Sequence, residues 1–211
     1  YNQDKPLLSE IRGGYVGHTI QAIPTLEQYD ANQTGGYGAL YGDVVNLYNP
    51  LGMVDDNLMN RYSDNVKIYA NAYVSVEFMK GLKYKLNLTP DFQFYRYNSY
   101  LGLYDYGLNK NDITQVTEQQ TRTRNVLVEN LLTFDRTFGD HKISVLAGYT
   151  YQDSRYRYMQ GSGQGMPTGI KEIDAAAQGL AVSGNSSRSV LTSILGRAFY
   201  SYKNRYLLTA T

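Results

Sequence analysis

Along residues 66–78 every even position is apolar: Val66, Ile68, Ala70, Ala72, Val74, Val76 and Phe78. The odd positions, Lys67, Tyr69, Asn71, Tyr73, Ser75 and Glu77, carry no aliphatic side chain. Successive side chains of a β-strand point to opposite faces, so the alternation predicts a strand with one oily and one wet side. Residues 82–96 repeat the pattern. Leu82, Tyr84, Leu86, Leu88, Phe92 and Phe94 alternate with Lys83, Lys85, Asn87, Thr89, Asp91 and Gln93. Met79-Lys80-Gly81 lies between the two runs. A loop of that length sets Phe78 opposite Leu82 and Glu77 opposite Lys83, which keeps both oily faces on one side. A slip of one residue would turn every side chain over. The spacing therefore predicts a Glu77–Lys83 pair on the wet face.

Two more hairpins follow. Over 124–138, Val126, Val128, Leu132 and Phe134 share a face that Asn130 interrupts. Over 142–158, Ile143, Val145, Ala147, Tyr149 and Tyr151 mark the oily side. The parity has changed, so the loop must be even, with Gly139-Asp140 at its tip. Over 188–202, Val190, Ile194, Ala198, Tyr200 and Tyr202 share a face; Lys203-Asn204-Arg205 then turns the chain into a run at 206–211.

Tight turns at 79–81, 139–140 and 203–205 alternate with polar connections at 97–121 and 159–187, after a leading region at 1–65. This is the rhythm of an all-β, antiparallel, up-and-down transmembrane barrel, with short periplasmic turns and long extracellular loops. The leading region is read as extracellular too. A soluble sandwich also alternates, but these runs exceed the ~5–6 residues usual in globular strands and form plain hairpins. Tyr and Phe gather toward strand ends, as in interfacial girdles. Six strands are fewer than the ~8 that close a membrane barrel. An open edge in hydrocarbon leaves backbone groups unpaired, so the wall is expected to continue on both sides.

Composition narrows the chemistry. The 211 residues include 22 Tyr and 20 Gly, no Cys and no Trp, with a formal net charge of +1. No apolar run approaches the ~20 residues of a spanning helix, and the polar start carries no signal peptide. No Lys/Arg run supplies a phosphate-binding stripe, so nucleic acid is not an expected partner. Without Cys there is neither disulfide nor thiolate ligand. His18 and His141 lie far apart in sequence, and no Ser sits in a nucleophile elbow. An enzyme is not expected, and no residue is assigned as catalytic. A passive porin or adhesin barrel remains the alternative, and a barrel enzyme a weaker one.

Gly161-Ser162-Gly163-Gln164-Gly165 reads as a flexible loop, since no helix follows to cradle phosphate. Asp30-Ala31-Asn32-Gln33-Thr34-Gly35 begins like a calcium loop, yet Tyr41 stands where a bidentate Glu is needed. A turn is the better reading. Asp55-Asp56 is a weaker pair still, so neither metal nor cofactor is expected. The candidates for contact with a substrate are Tyr37, Tyr41, Tyr97, Tyr100, Tyr104, Tyr156 and Tyr158. Tyr offers a flat apolar face and a hydroxyl at low entropic cost. The competing reading is that these rings pack the loops together.

Three segments carry a family likeness: NAYVSVEFMKGLKYKLNL at 71–88, VENLLTFDRTFGDHKISVLAGYTYQ at 128–152 and SILGRAFYSYKNRYLLTAT at 193–211. With Asn49-Pro50 ahead of them, their order and spacing resemble the SusC/RagA-like TonB-dependent outer-membrane transporters of Bacteroidota. The resemblance implies a 22-stranded barrel with a plug in its lumen. It also implies location in the bacterial outer membrane among its lipids, a SusD-like surface lipoprotein partner, and energy from the TonB complex through an N-terminal part outside these residues. The implied cargo is a glycan or an oligopeptide.

Overall fold

The computed structural model describes residues 2–4, 14–39 and 47–211. In chain order the elements are β1 (Asn2–Asp4), α1 (Gly14–Gln21), α2 (Pro50–Val54), β2 (Met59–Tyr69), β3 (Ala72–Met79) and β4 (Leu82–Leu101). Then come β5 (Tyr104–Asp105), β6 (Lys110–Asn111), β7 (Gln115–Phe138), β8 (His141–Gln164), β9 (Gln178–Tyr202) and β10 (Tyr206–Ala210). The main sheet runs β1-β2-β4-β7-β8-β9-β10, with β3 also on β4, while β5 and β6 pair apart. Long neighbours are therefore consecutive hairpin arms, the meander expected of an up-and-down wall.

The first hairpin shows how turn chemistry sets register. Glu77 faces Lys83, and Lys83 Nζ lies 3.8 Å from Glu77 Oε2. The two-residue tip is Lys80-Gly81, with Met79 facing Leu82 and the ladder shifting between Glu77 and Met79. The parity argument therefore holds at Glu77, whereas Phe78 does not face Leu82: Phe78 is the extra residue of a bulge. Gly81 has φ +89° and donates its N–H to Glu77 Oε1 at 3.1 Å. The other turns close at Gly139-Asp140 and at Lys203-Asn204-Arg205.

Three expectations need correction. The run 66–78 is not one strand, because the ladder lapses at Ala70-Asn71. Ala70 N–H donates to Pro90 O at 3.1 Å, but Pro90 has no N–H to return. Asn71 Nδ2 instead reaches Asn87 Oδ1 (2.9 Å) and Thr89 Oγ1 (2.7 Å). Second, β2 starts at Met59, β4 runs to Leu101, β7 starts at Gln115, β8 runs to Gln164 and β9 starts at Gln178. The segments read as loops at 97–121 and 159–187, and the leading region 1–65, therefore contain strand. An oily stripe marks only the part of a strand that one face buries, whereas the hydrogen-bond ladder continues through QVTEQQTRT at 115–123 without one. Third, Gly161-Ser162-Gly163-Gln164 is strand. Small residues are needed there: a Cβ on Gly163 would lie 2.6 Å from Ala176 Cβ, and one on Gly161 3.0 Å from Ile173 Cδ1.

The chain divides into two compact units. The first comprises residues 1–66, 94–121 and 158–185. One of its cores holds Met53, Leu58, Met59, Tyr104 and Tyr106, and another holds Tyr100, Val116 and Met166. The second comprises 67–93, 122–157 and 186–211 and is built from strands. Its even-numbered oily positions on β3 stay open: Val74 is 62% exposed and Phe78 64%. On β9, Ile194 is 88% exposed. A sandwich would have covered this face with a second sheet. The wet face carries a polar network instead, with Lys67 Nζ 3.4 Å from Asp91 Oδ2 and Asn87 Nδ2 2.7 Å from Glu129 Oε2. Asn130, the polar interruption on the oily side of β7, is satisfied: its Oδ1 accepts from the Tyr84 hydroxyl at 2.6 Å.

Candidate functional site

Aromatic side chains dominate the first unit, and most of them hold its loops in place. Tyr104 and Tyr106 stack with ring centroids 4.9 Å apart, and Tyr48 lies 5.9 and 6.0 Å from them. Tyr29 meets Tyr37 at 5.5 Å. α2 is set by its first residues: Asn49 Oδ1 accepts from Leu51 N at 3.1 Å, and Pro50 occupies the first turn, where no N–H is missed. Asn49 Nδ2 also donates to Gly38 O and Glu27 O, both at 3.1 Å, tying α2 to the leading loop. Gly52 is required because a Cβ there would lie 1.9 Å from the Tyr106 hydroxyl.

The electrostatics of this cluster come from burial. Tyr37 donates to Asp55 Oδ2 at 2.9 Å, and its hydroxyl is pushed up to about 12, by desolvation first and the Asp55 carboxylate second. Tyr104 and Tyr106 are shifted upward as well, again chiefly by burial. His18 is 2% exposed; burial lowers its pKa and keeps the ring neutral. Its Nδ1 accepts from Tyr48 N at 3.3 Å.

Of the tyrosines read as substrate contacts, Tyr100 (2% exposed) and Tyr104 (6%) are core residues. The Tyr100 hydroxyl accepts from Gly169 N at 3.3 Å. Tyr37 is half-buried against the Met53–Tyr106 cluster. Tyr97 is half-buried, and Tyr158, also half-buried, bonds to Gln160. Tyr156 is exposed. Tyr41 lies outside the described residues. The seven therefore do not form one patch, and packing claims at least two of them. Sequence spacing could not separate these cases, because a ring that closes a loop and a ring that offers a ligand surface occupy the same kind of polar segment.

Turn structure also absorbs the calcium-like segment. Asp30 Oδ1 accepts from Asn32 N at 2.9 Å and Asp30 O from Gln33 N at 3.1 Å, an Asx turn. The Asp55 carboxylate is occupied by Tyr37 and by Asn57 N, the latter at 2.8 Å. Among the described residues no group of three or more His, Cys, Asp or Glu could hold a metal ion. His141 sits 4.8 Å from the Tyr202 ring, with Nδ1 2.6 Å from the Tyr200 hydroxyl. These rings form an aromatic belt beside the tight turns of the second unit.

The second unit contains a feature that the sequence reading missed. Arg122, Arg124, Arg155, Arg157 and Arg188 line one groove of about 530 Å³ with Tyr156, Ser186 and Ser187. A linear basic run is absent, as expected, yet arginines at period-two positions on neighbouring strands assemble a basic surface. The signal was present in TRTR at 121–124, RYR at 155–157 and Arg188, once the hairpin register is applied.

No protein-family model matches the chain. A TonB-dependent receptor, P3, of Formosa agariphila is 26% identical over 209 residues, covering 94% of this chain and 20% of the relative. The structure of the RagAB peptide transporter superposes with a TM-score of 0.68 at 15% identity, over 81% of this chain and 20% of that one. The open-open state of the RagAB peptide importer gives 0.68 over 83% and 20%. This chain resembles the barrel wall of SusC/RagA-like TonB-dependent transporters. It spans about one fifth of the length of the proteins it matches. The uncovered oily side of β3 and β9, the consecutive hairpins and the aromatic belt are the parts of such a wall that the chain itself displays.

Proposed function

We propose that the chain is a stretch of wall in a TonB-dependent outer-membrane importer that moves oligopeptides or glycans without covalent chemistry. The observation that carries this reading is the two-faced sheet of the second unit. Val74, Phe78 and Ile194 are open on one side, and the Lys67–Asp91 and Asn87–Glu129 contacts lie on the other. Exposed apolar strand faces are stable against lipid, and hydrated networks against a lumen. In this reading the tight turns are periplasmic. Exposed Tyr156 and half-buried Tyr97 and Tyr158 are then the candidates to meet cargo or a SusD-like lipoprotein. TonB and a plug domain supply the energy coupling.

The test is uptake by cells that carry or lack the gene for this protein. Fluorescent oligopeptides and glycans are offered with and without collapse of the proton gradient. Loss of uptake on deletion, and its sensitivity to the gradient, supports the importer. Uptake that survives collapse of the gradient points to a passive pore and rejects the energy-coupled reading.

A further inference from the structure

The five arginines of the groove share the oily side of the sheet, which follows from counting along three strands. Arg122 and Arg124 have the parity of Val126 and Val128 on β7; Arg155 and Arg157 have that of Tyr149 and Tyr151 on β8; Arg188 has that of Val190 and Ile194 on β9. Counting back from the Gly139-Asp140 turn sets Arg124 opposite Arg155 and Arg122 opposite Arg157. Like charges directly opposite across a ladder repel. Part of that repulsion is offset by Asp153, on the same side, which accepts Arg155 Nη2 at 3.0 Å, Arg188 Nε at 3.0 Å and Arg188 Nη2 at 3.1 Å. The groove lining itself contains no carboxylate. Guanidinium stays charged at any physiological pH, so an excess of positive charge faces outward from this side.

Height places that charge. Arg124, Arg155 and Arg188 each lie roughly 15 residues, or about 50 Å of strand, from their tight turn. At a tilt of about 40° this is about 38 Å of rise, against an apolar band about 25 Å tall. The arginines therefore sit just beyond the band, above the Tyr149 and Tyr151 rings, where lipid headgroups lie.

We propose that this groove binds the phosphate groups of lipids packed against the outside of the wall. The inference rests on the membrane reading above. Arginine forks match phosphate oxygens in a bidentate manner. The continuity of the groove with the exposed oily face favours an acylated phosphate over a free one, because the chains would lie along Val126, Val190 and Ile194.

The experiment places the intact protein in nanodiscs of phosphatidylcholine with a minor fraction of phosphatidic acid, and native mass spectrometry reads the retained lipid. Wild type is expected to retain phosphatidic acid over phosphatidylcholine by about tenfold or more, the worth of one charge-assisted contact. The variant Arg122→Gln/Arg124→Gln/Arg157→Gln, which leaves the Asp153 bonds in place, is expected to lose that preference. Equal retention of the two lipids by wild type overturns the proposal whatever the variant does. So does displacement of bound phosphatidic acid by inorganic phosphate, which would make the groove a free-anion site. Failure of the protein to enter nanodiscs at all would instead reject the membrane reading on which the proposal rests.

Discussion

Introducing a charge at Val74 separates a lipid-facing sheet from a solvated one. Val74 faces Leu86 across the first hairpin and is 62% exposed. It lies about six residues from the Lys80-Gly81 tip, or about 20 Å of strand and about 15 Å of rise. That is close to the middle of an apolar band about 25 Å tall, where an arginine costs about 2–4 kcal/mol. The equilibrium constant for folding into vesicles of Val74→Arg should therefore fall by about 30-fold to 900-fold. Ser75→Arg, one residue on, points to the wet face. Ser75 faces Lys85, so the like-charge pair adds up to about 1 kcal/mol and makes the comparison a severe one. Urea unfolding of the intact protein refolded in vesicles measures both variants. A cost at Ser75→Arg equal to or above that at Val74→Arg would refute the lipid-facing assignment. So would a cost at Val74→Arg below about 1 kcal/mol.

Tyr84→Phe strips Asn130 of its 2.6 Å partner on the oily side. It should destabilise the vesicle-folded protein by about 1 kcal/mol, with Tyr84→Phe/Asn130→Leu recovering most of the loss; no recovery would mean that water reaches Asn130. Gly81→Ala puts a Cβ 2.2 Å from Asp135 O at φ +89°, and should cost at least about 1 kcal/mol in the same unfolding assay, whereas Gly139→Ala, with nothing within 4 Å of its Cβ but φ +57°, should cost less. His18 is held neutral with its folded pKa below the ordinary 6.5. Its contribution to stability is full above pH 6.5 and falls as the pH drops through that value toward the folded pKa, because the unfolded state binds the extra proton. Hydrogen exchange of residues 14–21 should therefore speed up between pH 7.5 and 5.5 relative to His18→Gln; identical profiles would exclude His18 as the cause.

The strands of the second unit were legible because one apolar and one polar face impose period two on residues such as Val74 and Ser75. The Glu77–Lys83 register was legible for the same reason, but the length of the first turn was not: the tip is Lys80-Gly81, because the bulge at Phe78 takes up the residue that parity alone assigned to the loop. The break at Ala70-Asn71 was hidden, since it depends on Pro90 across the hairpin. The extensions of β7, β8 and β9 were hidden because no oily stripe marks them along their outer ends. The fate of the tyrosines depended on packing that only three dimensions supply: Tyr104 and Tyr100 became core, while Tyr156 stayed at the surface. The arginine groove was hidden by being spread over three strands, and counting through the turns recovers it.

The most direct test of a lipid-facing wall is a single-cysteine spin-label scan of residues 72–78 in the intact protein in a bilayer. This chain has no cysteine of its own to interfere. Collisions with oxygen should exceed those with a water-soluble nickel chelate at Ala72, Val74, Val76 and Phe78, and the ratio should reverse at Tyr73, Ser75 and Glu77. A ratio that does not alternate along the strand, or that favours the nickel chelate at Val74 and Val76, would contradict the account.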